Sequence, residues 1–131
     1  MELAKNPNVA VWFEIPALDL QRAKTFYQEV FAVELTPEQM GDFKLELFPD
    51  PSNDETRIVS GALVKGEGYQ PNANGSVVYL NGGKDLDKPL SKIEKNGGKV
   101  LIPKTHLGEA IGFIALFSDT EGNRLGLHSK H

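Results

Sequence analysis

The sequence predicts an α+β fold built from two βαβββ modules that pack as a pair. Three observations carry this. A strand followed by a capped amphipathic helix opens the chain. The same opening returns after a shift of 66 positions, with "DLQRAKTFYQEVFAVEL" from Asp19 lying on "DLDKPLSKIEKNGGKVL" from Asp85 without a gap. A polar, turn-rich stretch, "GEGYQPNANG" (Gly66–Gly75), separates the two copies.

In chain order, Val9–Ile15 ("VAVWFEI") is rich in β-branched and aromatic residues and reads as a strand that Pro16 ends. Asp19 caps a helix whose apolar positions, Leu20, Ala23, Phe26, Tyr27, Val30 and Phe31, share one face. Strands are expected at Val33–Thr36, Phe43–Phe48 and Ile58–Val64. In the strand at Phe43, Glu46 alternates with Leu45 and Leu47 and is expected on the wet face. After the linker come a strand at Ser76–Asn81 and a helix from Asp85 with Leu86, Leu90 and Ile93 on one face. Pro89 fits its first turn, and Gly97 and Gly98 stop it. "KVLIP", "IGFIALFS" and "RLGLH" supply three more strands. One module (residues 8–65) leaves a sheet face uncovered. The second (residues 76–129) therefore pairs with it in a single domain spanning residues 1–131.

Bulk composition narrows the function classes. A hydrophobic fraction of 40% and a charged fraction of 24% are those of a soluble globular protein, and a net charge of −4 argues against a nucleic-acid partner. No apolar run approaches a membrane span, and no signal-peptide pattern opens the chain. With no cysteine there is no disulfide, thiolate nucleophile or cysteine metal site, and a cytoplasmic location is expected. "NGGK" (Asn81–Lys84) lacks the spacing of a phosphate cradle and reads as a turn, and no Ser-His-Asp arrangement can be argued.

The segments "VWFEIPALDLQRAKTFYQEVF", "NGGKVL" and "SDTEGNRLGL" resemble the glyoxalase/bleomycin-resistance/dioxygenase group, the vicinal oxygen chelate superfamily. The likeness runs from Asn8 to His128 and is nearest to small single-domain members related to lactoylglutathione lyase. It implies a curved mixed sheet closing around a cavity, often in a homodimer. Metal-dependent members place a His or Glu on the first and last strand of each module. Carried over residue by residue, those positions fall on Trp12, on Val78, on Gly126 and near Ser60 or Ala62. None of these ligates a divalent ion well, since such sites want imidazole or carboxylate. The resemblance therefore implies a protein without the usual metal. Ala32 also stands where many relatives end the first helix with glycine.

Each candidate site residue has two readings. Glu14, on the face of Trp12, is either an inward general base or ligand anchor, or a strand-end carboxylate bound to a backbone N–H or an Arg. Trp12 is a ligand wall or a packed core residue. His128 shares the face of Gly126, opposite Leu125 and Leu127, and either contacts a ligand or frays near the terminus. His106, in "KTHLGEAIG", either lids the cavity or faces solvent.

The favoured expectation is metal-free binding of a small organic molecule by Trp12, Glu14, Val78 and Gly126, with His128 and His106 as further contacts. The alternatives are a metal-dependent lyase, isomerase or dioxygenase using Glu14 and His128, and a metal-independent enzyme with Glu14 as base.

Overall fold

A computed structural model describes residues 8–52 and 59–131. Its elements run β1 (Trp12–Pro16), α1 (Leu20–Phe31), β2 (Thr36–Met40), β3 (Phe43–Leu47) and β4 (Ser60–Lys65). They continue with β5 (Tyr79–Asn81), α2 (Asp87–Ile93) ending in a 3-10 turn (Glu94–Asn96), β6 (Lys99–His106), β7 (Phe113–Ser118) and β8 (Arg124–Ser129). Two four-stranded sheets have the same plan, β1-β4-β3-β2 and β5-β8-β7-β6. In each, the first strand runs parallel to the last and the remaining neighbours are antiparallel. The βαβββ repeat read from the sequence is thus the plan of the molecule.

The first helix forms as its pattern dictates. The Asp19 side chain accepts from the Arg22 N–H at 3.0 Å, and Ala23, Phe26, Tyr27 and Val30 are buried. These residues share one apolar cluster with Ile15 and Leu63 of the first sheet and with Ile93, Ala115, Phe117 and Leu127 of the second module. Each module's helical face is therefore covered by the other. Ala32 ends α1 in the left-handed region at φ 54°, and among the described residues it is the non-glycine residue found there. Glycine would adopt that conformation with about 1 kcal/mol less strain.

Several boundaries differ from the sequence reading. The second strand lies at Thr36–Met40 and not at Val33–Thr36. Leu35 is buried in the core with its N–H held by Gln28 Oε1 at 2.9 Å, and a two-residue Gly41-Asp42 turn (Gly41 φ 60°) pairs Met40 with Phe43. Pro37 is tolerated because β2 is a sheet edge, where a missing N–H costs no ladder bond. The edge strand β6 likewise runs past Pro103 to His106, with irregular register between Val100 and Thr105. Ile58, the expected start of the fourth strand, lies outside the described residues.

Glu46 reverses its expectation. It is only 8% exposed, on the sheet face that α1 covers, and pairs with Lys24 at 3.0 Å. The alternation was right but the faces were exchanged. Leu45 looks the other way, into a small cluster with Ala62 and Val64.

The turn Asp119–Asn123 ties the two modules together. The Glu121 carboxylate accepts from the N–H groups of Leu18 and Asp19 at 2.9 and 2.8 Å and from Arg22 Nε at 2.7 Å, at the start of α1. Asn123 donates to the Pro16 carbonyl at 2.7 Å. Burial alone would push the Glu121 carboxyl up. The Arg22 bond and the two amides outweigh it and hold the group below its ordinary 4.5. A depressed folded-state value gives stability that is present above that ordinary value and lost as pH falls through and below it. Glu121→Gln is therefore expected to be less stable than wild type at pH 7, with the gap narrowing between pH 5 and pH 3. Urea titrations across that range measure it, and a gap that stays constant contradicts the assignment.

Candidate functional site

Strand alternation sends Phe13 and Ile15 toward α1 and puts Trp12 and Glu14 on the open face of the first sheet. There their ladder partners are Ser60 and Ala62. Glu14 is exposed. Trp12 Nε1 donates to its Oε2 at 3.3 Å and the Tyr69 hydroxyl donates to its Oε1 at 2.6 Å. Of the two readings of Glu14, the inward base or the carboxylate bound to a backbone N–H or an Arg, the geometry is nearer the second: a carboxylate with a donor on each oxygen, the donors being Trp12 and Tyr69. The bond to Glu14, then burial, raises the Tyr69 hydroxyl above its ordinary 10.0. Tyr69 comes from the stretch read as a polar linker. Its ring packs edge-on against Phe43 at 5.6 Å and over the Leu45, Ala62 and Val64 cluster. Its one signal in the sequence is that it is the single aromatic residue of "GEGYQPNANG".

In the second sheet Tyr79 pairs with Gly126 and Asn81 with His128, so these four share the open face. Val78 does not. It packs against the core, and its carbonyl accepts the Gly126 N–H at 2.9 Å. The face of Trp12 continues onto Tyr79, 67 positions on, and a one-residue slip turns a strand's side chains over. The Gly126 backbone lies under the Tyr79 ring, which a Cβ there would meet at 2.3 Å. The glycine is where it is because an aromatic ring covers it.

His128 is half-buried within β8, with Nε2 bonded to the Ile111 carbonyl. His106 ends β6 opposite Phe113, with ring centroids 4.8 Å apart. Lys104 sits over the same Phe113 ring at 4.7 Å and pairs with Asp85 and Asp87 beside α2, so His106 is turned away from the Tyr79 face.

Between the free edges of β1 and β5, by the end of α1, lies a cleft of about 910 Å³ with walls from Trp12, Phe31, Phe48, Val59, Val78 and Tyr79. Trp12 and Tyr79 are 46% and 48% exposed, so both offer ring surface to a ligand. Of the residues expected at the site, Trp12 and Val78 reach this cleft. Glu14, Gly126, His128 and His106 stand outside its lining. The positions at which the resemblance puts metal ligands hold Trp12, Val78, Gly126 and Ser60 or Ala62, and Tyr79 stands on the open face beside Val78; none of these makes a donor set that fits a divalent ion. Among the described residues no three His, Asp or Glu side chains lie together as a metal-binding group.

The profile of the Glyoxalase/Bleomycin resistance protein/Dioxygenase superfamily matches residues 10–127. A glyoxylase-like domain-containing protein of Didymella fabae is 33% identical over 113 residues, covering 84% of each chain. Among solved structures, a glyoxalase/bleomycin resistance protein from Albidiferax ferrireducens superposes with a TM-score of 0.70 at 14% identity, covering 95% of this chain and 100% of that one. A glyoxalase I variant from Zea mays gives 0.67 at 18% identity, with 95% of this chain on 47% of that chain, so the protein spans about half of the maize enzyme. The fosfomycin resistance protein FosX from Listeria monocytogenes gives 0.65 at 14%, covering 94% and 93%. By the profile match, the repeated βαβββ plan and the shared fold, the chain belongs to the glyoxalase/bleomycin resistance protein/dioxygenase superfamily.

Proposed function

We propose that the protein binds a small, largely apolar organic molecule in the cleft between β1 and β5, without a divalent metal. The observation that carries this is the cleft itself: about 910 Å³, predominantly apolar, and walled by two half-exposed aromatic rings. A space of that size suits a drug-sized or metabolite-sized ligand. Neither catalysis by Glu14 nor metal-assisted chemistry through Glu14 and His128 is part of the reading. Glu14 lies beyond the cleft with both oxygens already bonded, and a nitrogen of His128 is engaged by a backbone carbonyl. A homodimer in the cytoplasm completes the proposal. The exposed apolar Met40 and Phe43 on the open face of the first sheet support a second copy as partner, and light scattering on the purified protein reads the oligomeric state.

The chain has one tryptophan, so its emission reports on this cleft directly. A ligand that raises the melting temperature is expected to change Trp12 emission as well, and Trp12→Ala to weaken its binding about tenfold or more. A ligand that stabilises the protein without touching Trp12 emission binds elsewhere and defeats the proposal. Elemental analysis of protein purified without chelator tests the metal-free part, and one tightly held ion per chain overturns it.

A further inference from the structure

A second cleft, of about 500 Å³, flanks β5 and shares Tyr79, Leu80, Asn81 and Gly83 with the first. Its chemistry is different. Lys84, His128, Lys130 and His131 line it and no aspartate or glutamate does, in a chain whose 18 acidic residues outnumber its 14 basic ones. Asn81 Oδ1 is taken by the Gly83 N–H at 2.8 Å, which leaves the amide nitrogen of Asn81 as the free, donating end of that side chain. Asn81 and His128 are ladder partners on the face of Tyr79, so the polar groups begin where the aromatic wall ends. Lys84 makes no ion pair among the described residues, and Lys130 Nζ donates to the Ala110 carbonyl at 3.2 Å, a neutral partner that leaves its charge uncompensated. Two lysines free of ion pairs and neutral N–H donors on one concave surface favour an anionic group.

From this continuity we infer that the ligand is an amphipathic organic anion. Its apolar or aromatic body lies against Trp12 and Tyr79, and its carboxylate, sulfonate or phosphate group lies at Asn81, Lys84 and Lys130. The inference rests on the cleft reading above and adds the charge of the ligand and the end at which it is held. Tyr79 is the joint: its ring belongs to both clefts, and its seat on Gly126 fixes where the apolar part stops.

Two probes that share one apolar body separate the terms. Anilinonaphthalene sulfonate carries an anionic group, and N-phenyl-1-naphthylamine is its neutral counterpart. Both are titrated at low salt with Trp12 emission as the readout. The sulfonate is expected to bind about tenfold more tightly, a ratio that two charge-assisted contacts supply. In Lys84→Gln/Lys130→Gln the ratio should fall to near one with the neutral probe unchanged. Lys95→Gln/Lys99→Gln, which removes the same charge from exposed lysines outside either cleft, should keep it. Equal binding of the two probes to wild type overturns the anionic inference and leaves the apolar cleft standing. A preference that survives the loss of Lys84 and Lys130, or that the control variant also abolishes, overturns it too. If neither probe alters Trp12 emission, the cleft reading falls and takes this inference with it.

Discussion

Asp119→Ala is expected to lower the unfolding free energy by about 3 kcal/mol, a large share of what a domain of this size possesses. The carboxylate is buried and accepts four hydrogen bonds. They come from the Tyr27 hydroxyl at 2.7 Å, Asn123 Nδ2 at 3.0 Å, and the N–H groups of Glu121 and Asn123, each at 2.9 Å. Removing it orphans the hydroxyl of Tyr27, whose ring is wholly buried among Phe26, Phe31 and Phe48. It also releases the turn that holds the start of α1. Burial raises both the Asp119 carboxyl and, by a wide margin, the Tyr27 hydroxyl, so the pair is a high-stakes contact that must be complete to be stable. Tyr27→Phe should cost less, about 1 kcal/mol, because the carboxylate keeps its other three donors. A double-mutant cycle on urea midpoints reads the coupling. An Asp119→Ala variant within about 0.5 kcal/mol of wild type would show that the cross-module turn is not what the bonding implies.

That turn shows how motif and role came apart in the sequence. "SDTEGNRLGL" is legible as a turn entering a strand and as a mark of family, and the start and buried face of α1 are legible from Asp19 and the spacing of Ala23, Phe26, Tyr27 and Val30. The partners of Glu121 are not. Leu18, Asp19 and Arg22 lie about a hundred positions away, and no local pattern encodes a contact at that separation. The site failed for a different reason. Sequence spacing brackets β1 and β5, expected at Val9–Ile15 and Ser76–Asn81 and found at Trp12–Pro16 and Tyr79–Asn81, yet side-chain direction on a strand depends on parity. A shift of 66 in place of 67 therefore exchanged Val78 for Tyr79. The expectation for Glu46 fails for a related cause, since alternation gives two faces without saying which one α1 covers. Tyr69 is not legible as a partner of Glu14, because polar composition says nothing about a segment folding back onto a sheet.

The two parallel ladders set up a contrast in which the same substitution should act to different degrees and on different properties. Gly61 lies beside Phe13 and Gly126 beside Tyr79. At Gly61 an added Cβ meets the Phe13 carbonyl oxygen at 2.2 Å, and that backbone atom cannot turn aside. Gly61→Ala must push β1 off β4, and is expected to cost about 3 kcal/mol and to shift Trp12 emission toward that of a solvated indole. At Gly126 the three atoms nearest the Cβ all belong to the Tyr79 ring, the first at 2.3 Å, and a ring 48% exposed can rotate outward. Gly126→Ala should therefore cost no more than about 1 kcal/mol, partly offset by the lower chain entropy of alanine in the unfolded state. It should still move the wall shared by the two clefts and weaken a cleft ligand about tenfold. Urea midpoints and Trp12 titrations on the two variants measure both effects. Equal losses of stability would mean that Tyr79 is as immobile as backbone. Unchanged ligand affinity in Gly126→Ala would mean that the ring forms no part of the binding surface.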